Sequence, residues 1–241
     1  MSRILLMIPF CLLITGCNST PQDSPPPIAE SNSKETPIDN EFRVKFETTA
    51  GDFTMLVHRD WAPRGAERFH ELIENQYYDD APFYRVVPGF MVQFGMNADP
   101  KITQQWDRAF PDDPVTQSNQ PGTVSYATSG PNSRSTQLFI NYGNNARLDG
   151  MGFSPFAEII DGMNIVNAIN SQYGEQPSQQ LMTMRGNEYV KSEFPRIDYI
   201  VKARFLDGET DIETTPPETA GDPTSSQNDA ATNADPNPED K

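Results

Sequence analysis

Short runs of alternating hydrophobic and polar residues occupy the middle of the chain. In FRVKFET, the apolar residues Phe42, Val44 and Phe46 alternate with basic and polar ones, AGD supplies a turn, and FTMLV runs back. Alternation with a period of two is typical of strands that bury one face, and a glycine turn between two such runs indicates a hairpin. Residues 42 to 57 are therefore predicted to form an antiparallel hairpin.

A helix and several more strands follow. APRGAERFHELIEN has a proline near its start and places Ala66, Phe69 and Ile73 on one helical face, and DGMNIVNAIN predicts a second helix. Further strands are predicted in FYRVVPGFMVQFG, GTVSYAT, TQLFIN, FSPFAEII and RIDYIVKARF. In the last of these strands, one face would carry Ile197, Tyr199, Val201, Ala203 and Phe205. Many strands and two helices predict a mainly β fold, an antiparallel barrel closed by helices at its ends.

Both ends of the chain lack this pattern. Residues 17 to 40 are rich in proline, serine and charge, and residues 207 to 241 carry ten acidic side chains and one lysine. Segments with so few apolar residues cannot offset the entropy cost of ordering, so we predict a disordered tether and a disordered acidic tail around a domain at residues 41 to 206. That domain is only mildly acidic and has no basic cluster, which argues against nucleic-acid binding.

The N-terminus has the form of an export signal. MSRILLMIPFCLLITGCNST begins with Arg3, continues as an apolar run too short to span a bilayer comfortably, and reaches small residues before Cys17. ITGC resembles the lipobox of bacterial lipoproteins, which implies a signal peptide at residues 1 to 16 and lipid on Cys17. Asn18 in place of aspartate then implies the outer membrane of the cell envelope, facing the periplasm. An uncleaved anchor and an ordinary signal peptide are the alternatives.

Two polar residues interrupt the apolar stretch FYRVVPGFMVQFG. Alternate residues of a strand share a face, so Met91 and Gln93 project together while Phe90 and Val92 point the other way. The Pro-Gly turn folds the strand that carries Arg85 back beside them, where the fixed fork of guanidinium donors can be aimed. The alternative is an exposed strand arginine whose stem packs on its neighbours.

Three blocks of the sequence resemble the cyclophilin family of peptidyl-prolyl isomerases. FYRVVPGFMVQFG is similar to the family pattern of Phe-His-Arg, two aliphatic residues, Pro, any residue, Phe-Met, any residue and Gln. PGTVSYATSGPNSRSTQLFI resembles the stretch in which a Gly-Pro-Asn turn precedes a glutamine and two aromatics, and RLDGMGFSPFAEIIDGMNIVNAI resembles the Leu-Asp-Gly turn, strand and closing helix. The blocks cover most of residues 42 to 206, and the resemblance implies a closed eight-stranded barrel capped by two helices.

The resemblance also implies an activity, rotation about the peptide bond before proline, that needs no nucleophile, base, metal or cofactor. Arg85 would be the catalytic donor, and Gln93 would hydrogen-bond the substrate backbone. The remaining substrate-binding positions that it implies are Tyr84, Phe90, Met91, Ala127, Thr128, Gln137, Phe139 and Leu148. The expected substrates are proline-containing polypeptides, such as unfolded proteins of the envelope, and a monomer is expected.

The chain departs from the family pattern at several positions. Tyr84 replaces the histidine before the arginine, and Phe94 replaces the usual first glycine after the glutamine. Residues 171 to 195, SQYGEQPSQQLMTMRGNEYVKSEFP, have no counterpart in the shortest members. We call residues 171 to 195 the inserted segment.

Two other kinds of protein stay open at this point. One is a proline-peptide-binding chaperone module with weak catalysis, which Tyr84 and Phe94 keep possible. The other is a small-molecule-binding barrel lipoprotein, which would need a hollow interior, whereas Phe42, Phe46, Phe69 and Tyr199 predict a filled one.

Overall fold

The structure, a computed structural model, describes residues 40 to 206, in which strands and short helices alternate. The strands are β1 (Glu41–Thr48), β2 (Gly51–His58), β3 (Arg85–Val87), β4 (Met91–Phe94), β5 (Thr123–Tyr126), β6 (Leu138–Asn141), β7 (Pro155–Asp161) and β8 (Ile200–Phe205). The helices are α1 (Pro63–Glu74), α2 (Pro100–Trp106), α3 (Met163–Ala168), α4 (Gln179–Arg185) and α5 (Asn187–Glu193). A 3-10 helix spans Ala146–Met151.

All eight strands belong to one antiparallel sheet in the order β3-β4-β6-β5-β7-β2-β1-β8. The sheet curls into a half-barrel with two ends, so the predicted closed barrel is corrected to an open one. The segments that precede the end strands β3 and β8 do contact each other, through an isolated bridge between Pro82 and Tyr199. The Phe83 N–H donates to the Asp198 carbonyl and the Ile200 N–H donates to the Ala81 carbonyl on either side of it, both at 2.9 Å. The free edge of β3 is occupied by the inserted segment, because the Val86 N–H donates to the Gly174 carbonyl at 3.0 Å.

The interior of the half-barrel is packed with aromatic side chains. The predicted hairpin is confirmed, and Phe46 of β1 stacks on Phe53 of β2 with ring centroids 4.8 Å apart. Phe69 of α1 is fully buried and contacts the same layer. Phe42 packs at its margin, whereas Tyr199 packs against a different cluster. A core filled in this way argues against the hollow barrel that a lipoprotein carrying a small molecule would need.

The helices in the structure agree only in part with those predicted from the sequence. The predicted first helix is confirmed as α1, which starts with Pro63 and buries Ala66, Phe69 and Ile73. The second predicted helix corresponds to α3, but α2, α4 and α5 were not predicted. Each of these three spans only seven residues, too few to show a helical period in the sequence.

The inserted segment folds as a loop followed by α4 and α5, and it builds a second hydrophobic cluster on the outside of the sheet. The cluster buries Met182, Tyr189 and Val190 from the two helices against Tyr84 and Met96 from the sheet side. The segment is therefore packed onto the element that carries Arg85.

The last strand departs from its predicted register. Ile200 is fully buried, whereas Val201, which was predicted to share the inward face, is 50% exposed. The physical reason is a bulge in β8: Glu47 pairs with Lys202 and the next residue, Thr48, pairs with Ile200, so Val201 is the extra residue and turns outward.

The predicted signal peptide, Cys17 and both predicted disordered tails lie outside the described residues, except for Asn40. Among residues 40 to 206, every helix is too short or too polar to cross a membrane.

Candidate active site

A groove of about 490 Å³ opens on one face of the sheet, between β3, β4 and β6 and the 3-10 helix. One end is apolar and the other is polar. The groove residues that the sequence predicted are Arg85, Phe90, Met91, Gln93, Ala127, Thr128, Gln137, Phe139 and Leu148. The groove is also lined by Asp107, Ser129, Ser133, Ser135, Phe153 and Gln179.

The apolar end is a small cluster separate from the main core. Met91 opens β4, Phe139 lies on β6 and Leu148 lies on the 3-10 helix, and all three are nearly buried. Phe153 packs edge-on against Phe139 at 5.7 Å. The four side chains give this end of the groove an apolar lining.

Phe90 corrects one prediction from strand alternation. It lines the groove together with Met91, although the two were expected to face opposite sides. Phe90 precedes β4 and belongs to the turn after Val87, where Gly89 adopts a left-handed φ of 75°, so the period of two does not apply to it.

Arg85 stands at the junction between the two ends. It pairs across the β3–β4 ladder with Gln93, which places both side chains on the groove face. Its Nη1 donates to Gln93 Oε1 at 3.2 Å, and its guanidinium carbon lies 5.8 Å from the centre of the Phe90 ring. The side chain is 32% exposed, so part of the guanidinium is accessible to a molecule in the groove.

Behind Arg85, a chain of hydrogen bonds fixes the orientation of two amides. The Tyr84 hydroxyl donates to Gln137 Oε1, which also accepts from Gln93 Nε2 at 3.1 Å. Burial raises the pKa of Tyr84 well above its usual value, so the phenol stays a neutral donor. Because Gln93 directs its amide nitrogen to Gln137, its oxygen is left to accept from Arg85.

Tyr84 itself does not line the groove. It is 1% exposed and its ring belongs to the cluster made with the inserted segment, so the structure places it behind Gln137. A histidine at this position could not fill the same volume and reach Gln137 with a hydroxyl.

The far side of the groove is a polar ledge. The Ala127 N–H donates to the Gln137 carbonyl at 2.9 Å, which continues the sheet beyond β5 and β6. Thr128 follows, and its hydroxyl bonds to the Gly130 carbonyl and the Ser133 hydroxyl. An extended peptide could lie along this ledge with its proline in the apolar end.

One contact to Arg85 was missed by sequence reasoning. Glu175, in the inserted segment, accepts a hydrogen bond from Arg85 Nε at 2.6 Å and also contacts Nη2. The two residues are 90 positions apart, and no motif or period connects them.

The fold and the groove together define a class of protein: an antiparallel half-barrel that presents one arginine beside an apolar pocket. The family model for cyclophilin type peptidyl-prolyl cis-trans isomerases matches residues 43–188, and the chain belongs to this family. The protein is a cyclophilin-type peptidyl-prolyl cis-trans isomerase.

Individual relatives agree with this assignment. Peptidyl-prolyl cis-trans isomerase-like 3 of Neurospora crassa is 35% identical over 157 residues, which cover 61% of this chain and 86% of the relative. A crystal structure of a cyclophilin type peptidyl-prolyl cis-trans isomerase of Cryptosporidium parvum has a TM-score of 0.54 at 21% identity and covers 70% of this chain and 99% of that one. A second structure of that protein, in the presence of the dipeptide Ala-Pro, has a TM-score of 0.52 at 22% identity and covers 68% and 99%. At these identities the two structures support the fold.

Proposed function

We propose that Arg85 is the catalytic donor of the isomerase and that the apolar end of the groove holds the substrate proline. The observation that carries the proposal is the position of the Arg85 guanidinium, which is partly exposed, held by Gln93 and next to a pocket of Phe90, Met91 and Phe139.

Catalysis of rotation about the peptide bond before proline needs only a hydrogen-bond donor that is directed at the prolyl nitrogen. A peptide bond resists rotation by roughly 18–20 kcal/mol because its nitrogen is conjugated with the carbonyl. In the twisted state that conjugation is lost, and the prolyl nitrogen becomes a better hydrogen-bond acceptor. An arginine N–H directed at this nitrogen therefore binds the transition state more strongly than the ground state, which lowers the barrier.

The other groove residues have supporting roles in this proposal. Phe90, Met91, Phe139 and Leu148 hold the ring still while the rest of the chain rotates. Gln93 hydrogen-bonds the substrate backbone and fixes Arg85, and Ala127 and Thr128 support the residues before proline. Tyr84 acts from behind, through the amide of Gln137.

Arg85→Ala tests the assignment. We expect the catalysed cis-to-trans rate of an Ala-Pro test peptide to fall about a hundredfold, because a donor to developing charge is removed. A protease-coupled assay measures the rate, and thermal melts check that the variant is folded. The matched control is Arg43→Ala on β1, an arginine outside the groove residues, which should keep the full rate.

The second candidate function is a proline-peptide-binding chaperone with weak catalysis. The inserted segment beside the groove favours it, because it adds surface next to the peptide ledge. An Arg85→Ala variant that matches the wild-type rate would contradict the catalytic assignment of Arg85, and a wild-type rate near that of buffer would favour the chaperone.

We also propose that the protein is a monomeric lipoprotein of the bacterial cell envelope, held at the outer membrane by lipid on Cys17 and acting on unfolded envelope proteins. The ITGC sequence and the polar linker after it support this proposal. Cys17→Ser should abolish incorporation of a labelled fatty acid and release the protein from the membrane fraction. Labelling that persists in the variant would contradict the assignment.

A further inference from the structure

The inserted segment reaches the active site along the edge of β3. The Val86 N–H, which points away from β4, donates to the Gly174 carbonyl at 3.0 Å. This bond continues the sheet by one residue and brings Glu175 level with Arg85, the strand neighbour of Val86.

The turn that carries Glu175 is fixed from both sides. The Gln176 N–H donates to the Tyr173 carbonyl at 2.9 Å, and Gly174 between them has a φ of 54°. The Tyr173 ring packs edge-on against Phe194 at 5.1 Å, and its hydroxyl accepts from the Arg196 N–H. Both anchors lie close to α5, so the position of Glu175 depends on the packed part of the segment.

Glu175 and Gln93 hold opposite sides of one guanidinium. Glu175 Oε1 takes the Nε–H of Arg85 at 2.6 Å and contacts Nη2, whereas Gln93 Oε1 takes Nη1 at 3.2 Å. A guanidinium has five N–H groups, so donors remain on its outer edge for a substrate. The direction in which that edge faces is therefore set by Glu175 and Gln93, which lie in different parts of the chain.

We propose that Glu175 is a positioning residue for the isomerase: its carboxylate holds the Nε side of Arg85 so that the outer donors of the guanidinium face the prolyl nitrogen. This inference rests on the proposed role of Arg85. Glu175 acts through the arginine and is not among the residues that line the groove.

Positioning of this kind affects catalysis more than binding. A long arginine side chain samples many rotamers in solvent, and only a fraction of them point a donor at the twisted bond. Restricting the rotamers raises that fraction in the transition state, while the apolar pocket continues to hold the ring. The pair is part-exposed, with side-chain exposures of 32% and 60%, so its effect is modest and sensitive to salt.

Glu175→Gln in the full-length protein removes the charge and keeps the shape. We expect kcat to fall about threefold, in the range of a part-exposed ion pair, with KM unchanged. Glu175→Asp, which keeps the charge on a shorter arm, should recover part of the loss. Glu188→Gln is the matched control, because Glu188 lies in the same segment and pairs with Arg185 on the surface. It should leave kcat unchanged.

Salt dependence separates positioning from a general structural effect. At about 1 M NaCl the screening length is roughly 3 Å, so wild-type kcat should approach that of Glu175→Gln, which itself should change little. A Glu175→Gln rate equal to or above that of the wild type would overturn the proposal. It would mean that the carboxylate has no effect on catalysis or competes with substrate for Arg85. A threefold loss that persists at high salt would also overturn it.

The Arg85→Ala variant, measured in the same assay, distinguishes this failure from failure of the proposed function. If Arg85→Ala is inactive and Glu175→Gln is unchanged, only the inference about Glu175 fails. If Arg85→Ala is fully active, the catalytic assignment fails with it.

Discussion

Arg85 is contacted by two regions that are built in different ways. The strand wall of β3, β4 and β6 holds its backbone through a regular ladder and holds Nη1 through Gln93. The inserted segment holds Nε through Glu175, from a loop stabilised by two short helices. The two regions therefore have different roles. The wall fixes the backbone position of Arg85, and the inserted segment helps to fix the orientation of its guanidinium.

The largest loss of stability in the strand wall is expected from a substitution at Gly95, which directly follows β4. A Cβ at Gly95 would lie 2.4 Å from the Thr136 carbonyl, and the residue has a φ of 107°. Steric overlap and backbone strain together should lower the free energy of unfolding of Gly95→Ala by about 3 kcal/mol, measured by urea denaturation.

Gly89→Ala is the control for this experiment. Gly89 also has a positive φ, 75°, but a Cβ there meets nothing within 4 Å. Its loss should be about 1 kcal/mol, from backbone strain alone. Equal losses for the two variants would show that the wall can shift to accept the extra atom.

Tyr84→Phe sharpens the comparison, because Tyr84 belongs to both regions. Its ring packs with the inserted segment and its hydroxyl donates to Gln137 behind the wall. We expect a loss of about 1 kcal/mol in stability, since a buried hydrogen bond is removed, and a smaller, roughly threefold loss in isomerase rate as Gln137 and Gln93 lose their fixed orientation.

Tyr142→Phe is the matched variant for this test. The Tyr142 hydroxyl donates to the Val166 carbonyl at 2.8 Å and is not part of the amide chain behind Arg85. Tyr142→Phe should lower stability by a similar amount with an unchanged rate. A rate loss of the same size in both variants would mean that the amide chain does not aim Arg85.

The parts of the fold that sequence could predict are those with local signals. Alternation predicted the β1–β2 hairpin, and the Pro-Gly turn correctly brought Arg85 beside Gln93. The resemblance to the cyclophilins then supplied the residues around the groove, nearly all of which the structure brings together.

The parts that sequence could not predict depend on contacts distant along the chain. Gly174 of the inserted segment occupies the edge of β3, and Val201 turns outward because it is an extra, unpaired residue of β8 opposite Glu47 and Thr48. Glu175 meets Arg85 from a segment whose helices α4 and α5 pack against Tyr84. None of these arrangements has a period, spacing or motif that a single sequence displays.

The most direct test of the account is a double-mutant cycle on Arg85 and Glu175. Isomerisation of an Ala-Pro peptide would be measured by NMR exchange, at protein concentrations high enough to detect slow variants. If Glu175 acts through Arg85, Glu175→Gln should lower the rate about threefold in the wild type and leave it unchanged in the Arg85→Ala background. The same threefold loss in both backgrounds would contradict the claim that the two regions meet at this arginine.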